Sequence, residues 1–154
     1  MNTQTAVEST ATSSQEQVML NVLEGRTNGR IDDATADFAD QFQFKDYGIG
    51  LEFHDKKSLD EFFEKTREFY PDNSIHIDAI FVSGDHVIGE WTLRITLSEP
   101  FWGGGLTRKI PVSVHGVSIL RTENGKVTDW ADYYDGLTSR RTALASYFTE
   151  WVEP

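Results

Sequence analysis

The chain has 154 residues, 38% of them hydrophobic and 12% aromatic, which is the length and composition of one globular domain. Its 14 basic and 25 acidic residues give a net charge of −11 and form no basic stripe, which excludes nucleic acid and an anionic membrane surface as partners. The chain contains no cysteine, which excludes disulfides, thiol catalysis and Cys-ligated zinc.

Residues 1–15 are rich in Thr, Ser, Ala and Gln, with Glu8 as their one charged residue. They have little to bury, so we expect a disordered leader followed by a single domain over residues 16–154. The leader lacks the basic and apolar runs of a secretory signal. No window reaches the roughly 18 apolar residues of a membrane helix. We therefore expect a cytoplasmic protein.

The sequence predicts helices in the first half of the domain, interrupted by one short strand. A helical pattern runs from about Glu16 to Asn28, and a second short helix is predicted over Asp32 to Gln41. Phe42 to Asp46 then alternate with period two, as in a strand. The strongest helix is predicted over residues 57–69, where apolar side chains share one face: Leu59, Phe62, Phe63, Thr66 and Phe69.

Two start signals compete at this third helix. Ser58 with Glu61 forms a capping box, and Asp55 is the alternative cap.

The second half of the domain reads as strands. Two hairpins are predicted, over residues 74–97 and 111–136, and a final helix follows over about residues 138–151. Between the hairpins, Phe101 and Trp102 lie in a glycine-rich loop and are candidates for a lid. Helices first and strands later indicate an α+β fold, with helices on one face of a curved, mostly antiparallel sheet.

The first hairpin is predicted to turn through a three-residue loop, Ser83-Gly84-Asp85. This register pairs Ile77 with Trp91 and directs Trp91 and Leu93 to an apolar face. His76 and Asp78 then share the opposite face. They could supply two metal ligands, but no third ligand is evident, so we expect no metal site.

The second hairpin carries an Asn-Gly turn, the strongest short signal for a hairpin. A regular two-residue turn places Val117 opposite Asp132 and His115 opposite Tyr134. Asp132 would then lie on the apolar face of Val117 and Trp130, with His115 about 5–8 Å away.

A carboxylate on an apolar face requires an explanation, because an unpaired buried charge is costly. Asp132 could be structural and accept hydrogen bonds from Tyr134 or Trp91. Alternatively, desolvation could make it a general acid or base with His115 as its partner. Asp46 follows Phe42 and Phe44 on one strand face, so it either points inward as well or caps the turn that follows it.

Three features resemble the nuclear-transport-factor-2-like superfamily, and within it the SnoaL-like group that includes limonene-epoxide hydrolase and polyketide cyclases. The element order is similar over about residues 16–140. Phe44-Lys45-Asp46 before Leu51-Glu52-Phe53 resembles the family's strand and loop, and Trp130-Ala131-Asp132-Tyr133-Tyr134-Asp135 resembles its last strand. The resemblance implies a cone-shaped sheet around the N-terminal helices, an apolar pocket and a homodimer formed through the sheet.

The resemblance also implies site residues. Asp132 takes the place of the last-strand carboxylate of the epoxide hydrolases, whose Arg-x-Asp pair is matched here by Trp91-Thr92-Leu93, so both partners of that carboxylate are missing. Asp46 matches the base of ketosteroid isomerase, whose oxyanion donors are matched by Val22 and Val117. His115 with Asp132 resembles the proton-transfer pair of polyketide cyclases.

We therefore expect Asp132, His115 and Asp46 to be the catalytic residues of a cofactor-free acid/base enzyme that acts on a small apolar molecule. Such an enzyme would be an isomerase, a cyclase or a hydrolase. The alternatives are a non-catalytic module that binds a hydrophobic ligand and a dimeric interaction domain. The expected pocket lining comprises Phe44, Trp91, Leu93, Val117, Trp130 and Tyr134.

Overall fold

A computed structural model describes residues 14–97, 109–139 and 141–142. Within these residues the helices are α1 (Ser14–Asn28), α2 (Ile31–Thr35) and α3 (Lys56–Phe69). The strands are β1 (Phe38–Asp46), β2 (Leu51–Phe53), β3 (Ser74–Ser83), β4 (His86–Leu97), β5 (Ile110–Glu123) and β6 (Lys126–Tyr134). None of the described helices is long and apolar enough to cross a membrane.

The six strands form one curved, unclosed sheet in the order β2-β1-β6-β5-β4-β3. β1 and β6 run parallel, and every other neighbouring pair is antiparallel. α1 lies against β3 and β4 and packs on α2 and α3. The predicted α+β class, with a curved sheet around N-terminal helices, is therefore confirmed.

α1 owes its position to a stripe of buried side chains. Met19, Val22 and Leu23 are at most 1% exposed and share one helix face. The helix ends where Gly29 adopts a positive φ of 77°. At its other end, Gln15 donates a hydrogen bond to the carbonyl of Gly84. The last two residues of the predicted leader, Ser14 and Gln15, thus belong to α1, and residues 1–13 lie outside the described residues.

The second helix is shorter than predicted, and the first strand is longer. α2 ends at Thr35 and β1 begins at Phe38, in the middle of the segment predicted to be helical. Phe38 is 1% exposed because its ring packs among those of Phe42, Phe44 and Trp130. Burial of this aromatic side chain against the sheet outweighs the local helix propensity of the segment.

The start of α3 agrees with one of the two predicted helix caps. Asp55 caps the helix, and its carboxylate accepts a hydrogen bond from the backbone N–H of Ser58 at 2.9 Å. Phe69, predicted to face inward, is 75% exposed. At 3.6 residues per turn, a residue ten positions beyond Leu59 points about 80° away from it, so Phe69 leaves the buried face.

β3 and β4 have the predicted bounds, but the three-residue loop between them is wrong. Ser83 pairs with His86, so the turn contains only Gly84 and Asp85. The predicted pairing of Ile77 with Trp91 is nevertheless correct. A register shift between Ile77 and Ala79 compensates for the shorter turn.

The Asn-Gly turn between β5 and β6 is confirmed, with φ of 51° at Asn124 and 74° at Gly125. The register beyond this turn differs from the prediction, because a bulge lies between Arg121 and Thr122. Ser118, and not Val117, therefore lies opposite Asp132.

The bulge has a physical cause in β6. Val127 and Trp130 are 0% and 1% exposed, so both face inward although they lie three residues apart. Strict alternation would direct one of them outward. The extra residue, Thr128, lets both point into the core. Every residue of β5 on the far side of the bulge consequently faces opposite to the prediction.

Two predicted features lie at or beyond the limits of the described chain. The predicted C-terminal helix is represented by its first turn, in which Thr142 donates a hydrogen bond to the carbonyl of Thr138. The remainder of that helix, and the predicted lid loop with Phe101 and Trp102, fall outside the described residues.

Candidate functional site

Two carboxylates meet on the inner face of the sheet. Asp46, the last residue of β1, is the backbone partner of Asp132 in the parallel strand β6. The two residues are 6% and 2% exposed. Adjacent partners in a sheet project their side chains to the same side, so both carboxylates point into the interior. This agrees with the inward orientation predicted for each of them.

Asp132 is held by three hydrogen-bond donors. Its Oδ1 accepts from Ser118 Oγ at 2.5 Å and from Trp130 Nε1 at 2.7 Å. Its Oδ2 accepts from Arg26 Nη1 at 2.7 Å, which makes a buried ion pair. Ser118 Oγ in turn accepts from Trp91 Nε1 at 2.8 Å. One cation and two neutral donors thus satisfy both oxygens of this carboxylate.

Arg26 reaches this carboxylate from α1. It lies one turn beyond Val22 and Leu23 on the buried stripe of that helix, and its side chain is 14% exposed. Its guanidinium lies 5.7 Å from the centre of the Trp91 ring. Gly116, the strand partner of Trp91, leaves room for that ring, because a Cβ at this position would lie 2.3 Å from a ring carbon.

Among the described residues, Asp46 accepts hydrogen bonds only from neutral donors. Its Oδ2 accepts from the hydroxyl of Tyr134 at 3.1 Å, and its Oδ1 accepts from the backbone N–H of Ile49 at 3.1 Å. Asp46 therefore caps the turn and faces inward at once, so both alternatives drawn from the sequence hold. Burial first, and the nearby charge of Asp132 second, raise its pKa above that of an exposed aspartate.

Tyr134 is kept neutral by the same surroundings. Burial, the charge of Asp46 and the hydrogen bond to Asp46 all raise its pKa. Its ring lies directly over Gly48, where a Cβ would approach the ring carbons to 2.2 Å. Tyr134 is thus a fixed donor that orients the carboxylate of Asp46.

The structure does not bring His115 to Asp132, and this pairing is corrected. The bulge at Thr128 of β6 shifts the register with β5, so His115 lies on the outer face of the sheet, where it is exposed. Its Nδ1 lies 3.0 Å from Oγ1 of Thr92, which donates to Asp78 at 2.8 Å. His76 lies near the same aspartate, at 3.7 Å. Among the described residues, no group of three or more His, Asp or Glu side chains converges to hold a metal ion.

The expected pocket lining is divided by the sheet. Phe44, Trp91 and Trp130 are buried on the inner face, and Leu93 is half-buried there. Tyr134 is also on this face. Val117 belongs to the outer face, because the bulge reverses its direction as it does for His115. A separate surface depression of about 490 Å³ lies by the β5–β6 turn, and neither carboxylate lines it.

Sequence reasoning missed Arg26 and Ser118. Arg26 of α1 is bonded to Asp132, and Asp46 of β1 is its strand partner. A signal for Arg26 was present: it falls three and four residues after Leu23 and Val22, on the buried helix stripe. The contact between Ser118 and Asp132 could not be predicted without the bulge, because the bulge places Ser118 opposite Asp132.

The two carboxylates should respond oppositely to substitution. We expect Asp132→Asn to lower the free energy of unfolding by about 3 kcal/mol, because Arg26 loses its counter-charge and the amide faces three donors. We expect Asp46→Asn to change it by less than about 1 kcal/mol at pH 7, or to raise it, because a carboxylate in unfavourable surroundings is removed. Urea denaturation of both variants measures the difference.

The pH dependence has a defined sign. The folded chain holds the Asp46 proton more tightly than the unfolded chain, so this residue's contribution to stability falls as pH rises above its unfolded pKa. The advantage of Asp46→Asn over the wild type should therefore grow from pH 4 to pH 7. An equal loss of stability in both variants, independent of pH, would contradict this description of the site.

The chain was compared with known proteins. Residues 20–130 match the model of the SnoaL-like domain. No curated protein matches the sequence.

Solved structures share the fold at low sequence identity. IdmH, a putative polyketide cyclase from Streptomyces antibioticus, is similar at 18% identity and a TM-score of 0.72, over 82% of this chain and 96% of that one. An LEH-like epoxide hydrolase from M. tuberculosis is similar at 16% identity and a TM-score of 0.68, over 92% and 97%. A ketosteroid isomerase-like protein from Catenulispora acidiphila, in complex with trimethylamine, is similar at 20% identity and a TM-score of 0.67, over 79% and 88%.

These structures support the fold alone, whereas the family model spans most of the domain. The chain belongs to the SnoaL-like domain family.

Proposed function

We propose that this protein is an enzyme that transfers protons on a small, largely apolar organic molecule bound inside the sheet. Asp46 is the general acid/base. Asp132 and Arg26 form the ion pair that fixes the charge distribution around it. The observation that carries the proposal is the contrast between two adjacent buried carboxylates, of which one has a cationic partner and the other has only neutral donors. Opposed environments of this kind separate the roles of paired acids.

Asp46 has the properties of a proton carrier. Its raised pKa makes its carboxylate a stronger base than a free aspartate, and its acid form persists to higher pH. Tyr134 and the N–H of Ile49 hold the carboxylate in one orientation. In an isomerisation or a ring closure, the carboxylate would remove a proton beside a carbonyl group and return it to another atom. The electrons stay within the substrate, so this chemistry uses no cofactor.

The family includes cyclases, isomerases and hydrolases, so several reaction types are compatible with this site. We favour proton transfer over hydrolysis. Each oxygen of Asp132 already accepts a hydrogen bond, from Ser118 and Trp130 on one side and from Arg26 on the other, so this carboxylate is poorly placed to hold an attacking water.

A binding module without catalytic activity is the second candidate. It is favoured by the three donors on Asp132, which satisfy this carboxylate as they would a structural one. The buried aromatic side chains around the site suit an apolar ligand with or without chemistry.

Deuterium exchange distinguishes the candidates without knowledge of the natural substrate. Enolisable ketones with compact apolar bodies, such as 1-indanone, are incubated with the protein in D₂O, and exchange beside the carbonyl is followed by NMR. We expect the wild type to accelerate exchange and Asp46→Asn to slow the catalysed rate by about 10²-fold or more.

The matched control for this experiment is Asp129→Asn, which removes a half-exposed carboxylate from the same strand as Asp132. It should exchange like the wild type. Equal exchange by the wild type and Asp46→Asn would remove Asp46 from the catalytic role. Binding of the ketone with no catalysed exchange would favour the binding module.

We also propose that the protein forms a homodimer through the outer face of its sheet. An apolar row crosses four strands of this face and is bordered by Lys45 of β1. Its members are paired residues of β6, β5, β4 and β3: Ala131, Ile119, Ile88 and Phe81. Ile88 and Phe81 are 37% and 55% exposed. No described helix packs on this side, and a second copy would cover the row.

The wild type should therefore sediment at twice its chain mass of 17.5 kDa at micromolar concentration. Ile88→Glu places a charge in the middle of the row and should shift the protein toward the monomer. Phe69→Glu, at an exposed side chain of α3, is the control and should leave the dimer intact. A monomeric wild type, or equal behaviour of the two variants, would contradict an interface on this face.

A further inference from the structure

Arg26 has more hydrogen-bond donors than its ion pair uses. A guanidinium carries five N–H groups, and Arg26 directs Nη1 to Asp132 at 2.7 Å. Within residues 14–97, 109–139 and 141–142, Asp132 is its one hydrogen-bond acceptor. The one buried side-chain atom without a partner in these ranges is Asn73 Oδ1. The remaining nitrogens of Arg26 are therefore open to solvent or to a ligand.

Asp132 does not need those remaining donors. Its other oxygen is already satisfied by Ser118 and Trp130. The ring of Trp91, 5.7 Å from the guanidinium, restricts the directions in which the unused edge can turn. This fixed edge is electrostatically coupled to the rest of the site, since the charge of Arg26 acts on both Asp46 and Tyr134.

We propose that the unused edge of Arg26 binds an oxygen atom of the ligand, and that Arg26 thereby selects molecules whose buried end carries a hydrogen-bond-accepting oxygen. The ion pair with Asp132 orients the guanidinium, and it holds Arg26 near Asp46, because Asp46 is the strand partner of Asp132. Arg26 is then a binding residue and not only the counter-ion of Asp132.

Charge disfavours an anionic ligand. The site holds two carboxylates, Asp46 and Asp132, and one cation, Arg26, so a permanent anion would add a further negative charge to a buried site. A cationic ligand would be repelled by the positive charge of the Arg26 guanidinium. A neutral carbonyl group avoids both costs, and its oxygen gains negative charge only while a proton is being removed from the neighbouring carbon. A guanidinium stabilises that developing charge without having to move.

This inference rests on the proposed function in one respect: the ligand must enter the interior beside Asp46. It differs from the proposed function because it assigns a binding selectivity to Arg26, and this selectivity can be measured without any reaction. The two proposals can consequently fail separately.

The test uses three probes with one bicyclic body: 1-indanone, which carries a carbonyl; indane, which lacks it; and 1-aminoindane, which is a cation at pH 7. Dissociation constants are measured by tryptophan fluorescence, since Trp91 and Trp130 flank the site, and by calorimetry. We expect 1-indanone to bind about tenfold or more tightly than indane, and 1-aminoindane to bind most weakly.

Arg26→Lys tests the unused edge while keeping a positive charge beside Asp132. We expect it to remain folded and to reduce the preference for 1-indanone over indane to about threefold or less. Arg30→Lys, at a half-exposed arginine, is the control and should bind all three probes like the wild type. If Arg26→Lys unfolds, the order of the three dissociation constants measured on the wild type still tests the proposal.

Equal binding of indane and 1-indanone by the wild type would overturn the proposal. Tightest binding of 1-aminoindane would also overturn it, because carboxylates would then select the ligand. An unchanged preference in folded Arg26→Lys would do the same. If the preference depends on Arg26 but Asp46→Asn exchanges deuterium like the wild type, then the proposed catalytic role fails and the binding role of Arg26 stands.

Discussion

The interaction on which this structure depends is the buried ion pair between Arg26 and Asp132. It joins the first helix to the last described strand, and the carboxylate also binds Ser118 of β5 and the indole of Trp130. The backbone carbonyl of Asp132 accepts a hydrogen bond from the N–H of Tyr47, at the end of β1. One residue therefore ties α1, β1, β5 and β6 together. A buried charge is tolerable at this junction because its hydrogen-bonding capacity is satisfied there.

This ion pair also creates the asymmetry of the site. Arg26 is bonded to Asp132, so Asp46 keeps a nearby negative charge and has no cation bonded to it. Tyr134, held over Gly48, and the turn at Ile49 fix its carboxylate without neutralising it. Burial first, and the charge of Asp132 second, raise the pKa of Asp46, and Arg26 does not offset them by a direct bond because it is bonded to Asp132. The chemical proposal therefore has the same origin as the stability of the fold.

Much of the fold could be predicted from the sequence, because its signals are local. The bounds of β3 and β4, the Asn-Gly turn and the Asp55 cap each depend on a few neighbouring residues. The start of β1 could not be predicted in this way, because Phe38 is placed by aromatic rings distant in sequence.

The candidate site was predicted in part, and the bulge in β6 explains the error. Asp132 was predicted to point inward, and Asp46 either to point inward or to cap a turn; both carboxylates are buried, and Asp46 does both. His115 and Val117 were assigned to the wrong face because a regular register was assumed. The spacing of Val127 and Trp130, three residues apart and both buried, indicates the extra residue only when both are known to face inward. Arg26 on an otherwise apolar helix stripe was the overlooked signal.

The most direct measurement of the central claim is a titration of the aspartate side-chain carboxyl groups, followed by ¹³C NMR in the folded protein. Asp55 is the internal reference, because its bonds to Ser58 lower its pKa. The account predicts that Asp46 titrates above the roughly 3.9 of a free aspartate and above Asp55. A midpoint for Asp46 at or below that of a free aspartate would contradict the assignment of Asp46 as the acid/base group.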